Sequence, residues 1–384
     1  MSHASFLRAA RVAITSAAPC FAGLGTLALL LAGCGSDGSG GSDGPGGSSS
    51  GGATCENGLR DGTSLEPAGN SEFCSAQGAA VPETVSCAYD FQSCGVPLPT
   101  PAVDLKRSSN VKEYSGNGAP NVACFAPEGY PAKEESSAGV VTVEGIAKIF
   151  SHGCESSEVV IEIFEVDPAD ATPGALVGTA FTTPEDCEAD GVESDKDESC
   201  STASGQPWQC RFSYPDVPTN KELLIKTSGT RWKDLYEYNF YVPNSAAGGT
   251  FDKDVRALVT DDYNLIAQTA LGSPIAPGPG AGAGEVHDCD DVRLIGAVVD
   301  VDVDKKITTY FTSDEDHPLP QTTAEATSTL ALYSAIDVAP GPVVISAMGT
   351  IGGAPVTVGF HRARVFPDSV TSVTFRGLRP FQVP

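Results

Sequence analysis

The chain has 384 residues, 23 basic against 49 acidic, for a formal charge of −26, with 42 Gly, 28 Pro and 12 Cys. That length suggests two or three domains, and 41% apolar residues suffice for packed cores. A field this negative is repelled by polyphosphates and anionic headgroups, so nucleic acid is excluded as a partner.

Residues 1–11 carry Arg8 and Arg11 and no acid, and a mostly apolar run follows up to Leu31. This is the pattern of a secretory signal peptide. It ends Leu31-Ala32-Gly33-Cys34, which resembles the bacterial lipobox, where small residues admit the peptidase and the cysteine thiol takes the lipid. The expectation is a signal peptide over 1–33 and lipidation at Cys34. Loss of Arg8 and Arg11 leaves 21 basic and 49 acidic residues, a charge of −28. No other stretch offers the ~20 apolar residues needed to span a bilayer. The N-terminal lipid is therefore the expected membrane contact of an outer-membrane lipoprotein, facing either the periplasm or the cell surface.

With Cys34, residues 35–52 (GSDGSGGSDGPGGSSSGG) form a tether with no side chain larger than Asp. It holds the rest roughly 20–25 Å from the lipid on average. Beyond Cys20 in the signal and Cys34, ten cysteines remain as disulfide candidates in an exported protein. Cys55, Cys74, Cys87, Cys94 and Cys124 fall in 53–139, a loop-rich module with little apolar periodicity. Five is odd, so at least one pairs elsewhere or stays free. Cys154, Cys187, Cys200 and Cys210 follow, then Cys289 alone, which is expected to bridge modules. No pair has the Cys-x-x-Cys spacing of zinc ribbons or thioredoxin-like motifs.

From Val140 the pattern turns to short alternating strands: VVTVEGIAKIF (140–150), a turn, and EVVIEIFEV (158–166), then several β-rich pieces up to 242. Strands at this spacing predict an antiparallel sandwich over 140–246. An acidic insertion at 185–207 carries Cys187 and Cys200. Over 247–282, apolar residues at Val255, Leu258, Val259, Ile266 and Leu271 predict a helix with Thr250 as cap and Gly272 as stop, then a Pro/Gly linker. A second sandwich is expected over 283–384. The two copies share an internal repeat: Gly145 precedes Asp216-Val217 by 71 residues, and Gly284 precedes Asp337-Val338 by 53.

The second copy reads Gly284-Glu-Val286-His-Asp288, then Leu294-Ile-Gly296-Ala297-Val-Val299-Asp-Val301, then Asp337-Val338-Ala-Pro340-Gly341 before Val343-Val-Ile345. These motifs resemble the carboxypeptidase regulatory-like family, of prealbumin (transthyretin-like) fold and close to CnaB domains. Residues 284–350 carry the likeness closely and 140–245 loosely. The family's Asp-Gly hairpin turn is replaced here by Glu325–Leu330. The resemblance implies two tandem prealbumin-like antiparallel β-sandwiches, mainly β and without a catalytic site of their own. A short helix would join them, and a small disulfide-rich module and a disordered tether would precede them. In architecture the chain also resembles bacterial outer-membrane lipoproteins.

Candidate chemistry is sparse. Asp300, Asp302 and Asp304 alternate along a strand, where steps of ~6.6–6.8 Å are too long for oxygens to share a Ca2+. They read as a solvated face. His287, Asp288, Cys289, Asp290 and Asp291 crowd a turn, with His287 and Asp288 expected on opposite faces. His152-Gly-Cys-Glu155 and Ser109-Asn-Val-Lys112 match short catalytic patterns but lack the surrounding motifs. The acidic loops offer Asp195, Asp197, Asp314 and Asp316 as an alternative Ca2+ surface. Trp232, Tyr236, Tyr238 and Tyr241 could stack on sugars, although the alternation of Tyr236, Tyr238 and Phe240 reads better as core. The expectation is a non-enzymatic envelope lipoprotein with binding or structural sandwiches. A surface lipoprotein binding carbohydrate or peptidoglycan is the second reading, and a hydrolase with an unrecognised site the third. Its partner would be an envelope protein or a glycan.

Overall fold

The computed structural model describes residues 103–125, 127–150, 155–189, 208–314, 318–377 and 379–382. The segment 103–139 enters with a two-residue strand, β1 (Lys106–Arg107), and has no sheet of its own. It runs as a strap instead. Leu105 and Phe125 are buried in the core of the second sandwich, and Asn220 Nδ2 of the first sandwich bonds the Glu134 carbonyl at 2.8 Å.

Strand β2 (Val140–Ile149) buries Val141, Val143 and Ala147, the apolar face its alternation predicts. After it come β3 (Val160–Val166), β4 (Pro173–Phe181), β5 (Cys187–Ala189), β6 (Trp208–Pro218), β7 (Leu223–Ser228) and β8 (Leu235–Phe240). Two further strands follow, β9 (Thr250–Asp252) and β10 (Val255–Ala257). One sheet has the order β10-β2-β6-β5, with β9 also beside β2, and the β4-β3-β7-β8 strands face it. The core between them contains Ile161, Ile163, Leu223, Ile225 and Phe240.

The helix is shorter than the periodicity predicts. Residues 250–257 form β9 and β10, both parallel to β2, and only α1 (Thr260–Leu271) is helical. Thr250 is a strand residue and Val259 precedes the first turn. Asp261 and Asp262 lie in that turn, where carboxylates face the positive helix end, and Gly272 terminates the helix as expected.

The second sandwich comprises β11 (Gly280–Glu285), β12 (Leu294–Ile295), β13 (Val298–Val301), β14 (Ile307–Phe311) and β15 (Pro320–Gln321). It closes with β16 (Leu332–Val338), β17 (Gly341–Ile351), β18 (Ala354–Val365) and β19 (Val370–Val373). Its sheets are β15-β14-β16-β11-β19 and β13-β17-β18. The Glu325–Leu330 segment is a docked loop here: Thr327 Oγ1 donates to the Leu294 carbonyl at 2.7 Å and accepts from the Ala297 amide at 2.9 Å.

The two copies repeat one topology. β2 and β11 each pair antiparallel on one side, with β6 and β16, and parallel on the other, with β10 and β19. The repeat's letters have structural causes. A Cβ on Gly145 would lie 2.2 Å from the Lys253 carbonyl oxygen, and one on Gly284 would lie 1.9 Å from that of Val373. Asp216 and Asp337 both sit at positive φ, at 61° and 59°.

The halves are also fused. β19 pairs parallel with β8, Val370 opposite Leu235 through Val373 opposite Tyr238, so one nine-stranded sheet runs β15-β14-β16-β11-β19-β8-β7-β3-β4. Helix α1 therefore does more than connect. Its Tyr263, with Leu235, Leu258, Ala281 and Val370, forms a small core at the junction. No helix among the described residues is long and apolar enough to cross a membrane.

Candidate functional site

At the junction the shared sheet is short of side chain. Ala281 and Ala283 of β11, Ser334 of β16 and Ser372 of β19 point to one face, while Gly282 and Gly284 point back into the second core. Over this shallow floor stand α1, the ends of β2 and β10, and the strap. Between floor and walls lies a cleft enclosing about 110 Å³. One part is apolar, with Phe150, Leu258, Ile266, Ile275 and Phe311. The other is charged.

The charged part is built from paired groups. Lys148 bonds Glu113 of the strap and meets Asp254 at 2.9 Å, and Lys253 bonds Glu237. Glu285 accepts from Arg293 Nε at 3.1 Å and lies 2.8 Å from His287 Nε2, whose Nδ1 is 2.7 Å from Asp291. Tyr114 covers this group, its ring centroid 4.8 Å from that of His287 and 5.0 Å from the Arg376 guanidinium. Burial alone would raise the Glu285 carboxyl. The His287 hydrogen bond and the charges of His287, Arg293 and Arg256 outweigh it and hold the group well below the usual carboxylate range. Glu113 is likewise lowered, because Arg256 and Lys148 overcome its desolvation. Arg379 goes the other way: burial, then repulsion from Arg376, push it down to about 10.

Beside the cleft, the turn after β11 is tied to the strap. Asp288 is fully buried and accepts from Arg107 Nε at 2.6 Å and from the Asn121, Asp290 and Val292 amides at 2.9–3.1 Å. Cys289 is bonded to Cys124, closing a separation of 165 residues, and Cys187 of the acidic insertion is bonded to Cys210 of β6. Among the described residues, Glu155, Cys187 and Cys210 have metal-like proximity, but the disulfide leaves those sulfurs no thiolate to offer.

Other candidate residues are dispersed. Asp300 and Asp302 are not a solvated face. They are 4% and 0% exposed: β13, with Asp300 in it, is buried on both faces, and Asp302 lies in the bend that follows Val301. Asp300 is 2.5 Å from Lys305 Nζ and accepts from Thr308 Oγ1, while Asp302 accepts from the Val344 amide at 2.7 Å. Only Asp304 of the three is exposed. Trp232, Tyr236 and Tyr238 are buried, and Tyr241 packs on Phe381, so this group makes no sugar-stacking platform. Asp314 is exposed. Asp195, Asp197, Asp316, His152, Cys34, Cys55, Cys74, Cys87, Cys94, Cys154 and Cys200 lie outside the described residues, as do the signal peptide and tether. The cleft residues Glu113, Glu237, Arg256 and Glu285 escaped sequence reasoning, since they come from the strap, β8, β10 and β11. The one local signal was the alternation of Ala281, Gly282, Ala283 and Gly284, which announces a face without bulk.

No family model and no curated protein matches the chain. Among solved structures it is similar to GBS52, the minor pilin of the Gram-positive pathogen Streptococcus agalactiae. The identity is 10%, over 62% of this chain and 94% of the pilin, with a TM-score of 0.14. At that score the superposition carries no argument. What the strand pairing establishes is a mainly β protein of the β-sandwich class with internal disulfides.

Proposed function

We propose that this chain is a non-enzymatic lipoprotein of the bacterial cell envelope, anchored through Cys34, whose fused sandwiches work as a binding module with the junction cleft as its site. The observation that carries the reading is the position of the cleft. It lies where two copies of one fold meet, walled by both and roofed by the strap, and it combines apolar surface with convergent charged groups. The charged residues there are engaged in pairs and in the Glu285–His287–Asp291 chain, an arrangement suited to holding a shape. The sequence resemblance to carboxypeptidase regulatory-like domains agrees with a module that carries no chemistry of its own.

The test is a thermal-shift screen of the mature chain against envelope fractions: peptidoglycan fragments, surface glycans and small solutes. A ligand should raise the unfolding midpoint of the wild type, and Ala283→Phe, which fills the floor of the cleft, should abolish the rise. A rise that survives Ala283→Phe would place binding elsewhere. In the same cells, palmitate should label the wild type but not Cys34→Ala.

A further inference from the structure

The charged part of the cleft closes on itself. Four carboxylates and four cations line it. Lys148 holds Glu113 and Asp254, Lys253 holds Glu237, Arg256 lies between Glu113 and Glu285, and Arg376 meets Asp291. A charged ligand would lose its water here and find each countercharge already taken, a cost that a neutral one escapes. What is left for a ligand is the apolar part.

That part is compact and carries one polar feature. Tyr263 and Ile266, neighbours on one face of α1, pack in one cluster with Phe150, Leu258, Ile275 and Ala281, and all six line the cleft. Tyr263 is 6% exposed, yet its hydroxyl has no hydrogen-bond partner within the chain. Buried hydroxyls are rarely left so. Burial and the charges of Asp368 and Asp337 push its pKa up, so it keeps its proton and can donate. Asp337 is itself 2.5 Å from Lys306, Asp368 accepts from the Gly278 amide at 3.3 Å, and neither lines the cleft. Both therefore oppose an anion beside Tyr263 without offering a cation a site. Size sets the rest. About 110 Å³ is less than the ~150 Å³ cavity that accepts benzene, so the enclosed part of a ligand is no larger than about one aromatic ring.

We propose that the apolar part of the cleft binds a small neutral molecule, ring-sized and apolar, with one hydrogen-bond acceptor that meets the Tyr263 hydroxyl. The inference rests on the cleft being the binding site. Calorimetric titration of the mature chain in lipid nanodiscs tests it, with the heat of empty nanodiscs subtracted. The probes share one ring: benzonitrile, which is neutral with an acceptor, toluene, which is neutral without one, benzoate and benzylamine. Benzonitrile should bind about tenfold or more tightly than either charged probe, and about fivefold more tightly than toluene, the worth of one hydrogen bond. Tyr263→Phe should bring benzonitrile down to toluene and leave toluene unchanged. Ala283→Phe should abolish binding of both neutral probes. Should that variant misfold by circular dichroism, Ile266→Trp, which fills the same space from the α1 side, should do so instead. Benzoate or benzylamine binding as tightly as benzonitrile, and lost in Ala283→Phe, would overturn the neutral ligand and leave the cleft as a site. An advantage of benzonitrile that persists in Tyr263→Phe would overturn the role of the hydroxyl. No heat from any probe would overturn the inference alone, whereas neutral binding that survives both filling variants would overturn the cleft as the site too.

Discussion

A methyl group is enough to test the tightest point of the fold. Gly284 has φ near 153°, and a side chain there would strike the Val373 carbonyl. Gly284→Ala must push β19 away or bend β11, and is expected to cost more than ~2 kcal/mol in urea unfolding. An equal loss at Gly145→Ala would show that both copies use the same contact. Glu285 sets a pH dependence. Its carboxyl is depressed in the fold, so its stabilising contribution is complete above the unfolded value of about 4.3 and fades as pH falls toward the folded value. Glu285→Gln should flatten the loss of stability below about pH 4.3, measured by denaturant midpoints across pH. An unchanged slope would show that other carboxylates govern it. The glycines of the repeat were legible in sequence because a missing side chain is a local fact. The burial of Asp300 and Asp302 was not, since it depends on β13 being covered on both faces and on partners at Lys305, Thr308 and Val344.

Among the elements, β19 matters most, because it is hydrogen-bonded to β11 on one side and to β8 on the other. Thr371→Pro removes a ladder N–H whichever neighbour it serves. Amide exchange should then quicken in β8 and β11 together, while β17 and β18, in the opposite sheet, keep their protection. Exchange confined to β19 would mean that the junction contributes little to either half. Most strands could be read from alternation, since a half-buried strand records its own face. The stretch 250–259 could not. Val255, Leu258 and Val259 fit a helical spacing equally well, and what makes 255–257 a strand is the waiting edge of β2. The parallel β8–β19 contact left no mark either, because Tyr236 and Thr371 are 135 residues apart in the chain and ordinary in type.

For the whole molecule, the fused sheet makes two sandwiches of one strand pattern into one object by mechanics. Calorimetry of the described region should show a single transition, and two well-resolved peaks would mean that the junction opens before the cores melt. The same sheet bears on how the gene could be divided. Cutting at the Pro/Gly stretch 273–279 looks harmless on paper, because it falls between two copies of one fold. The cut would leave β8 bare on one fragment and β19 on the other, each an open row of amides and carbonyls inviting the wrong neighbour. Each fragment alone should therefore aggregate, and mixing them during refolding should rescue both. The two halves of the repeat form a pair in which each serves as the other's lid against misassembly.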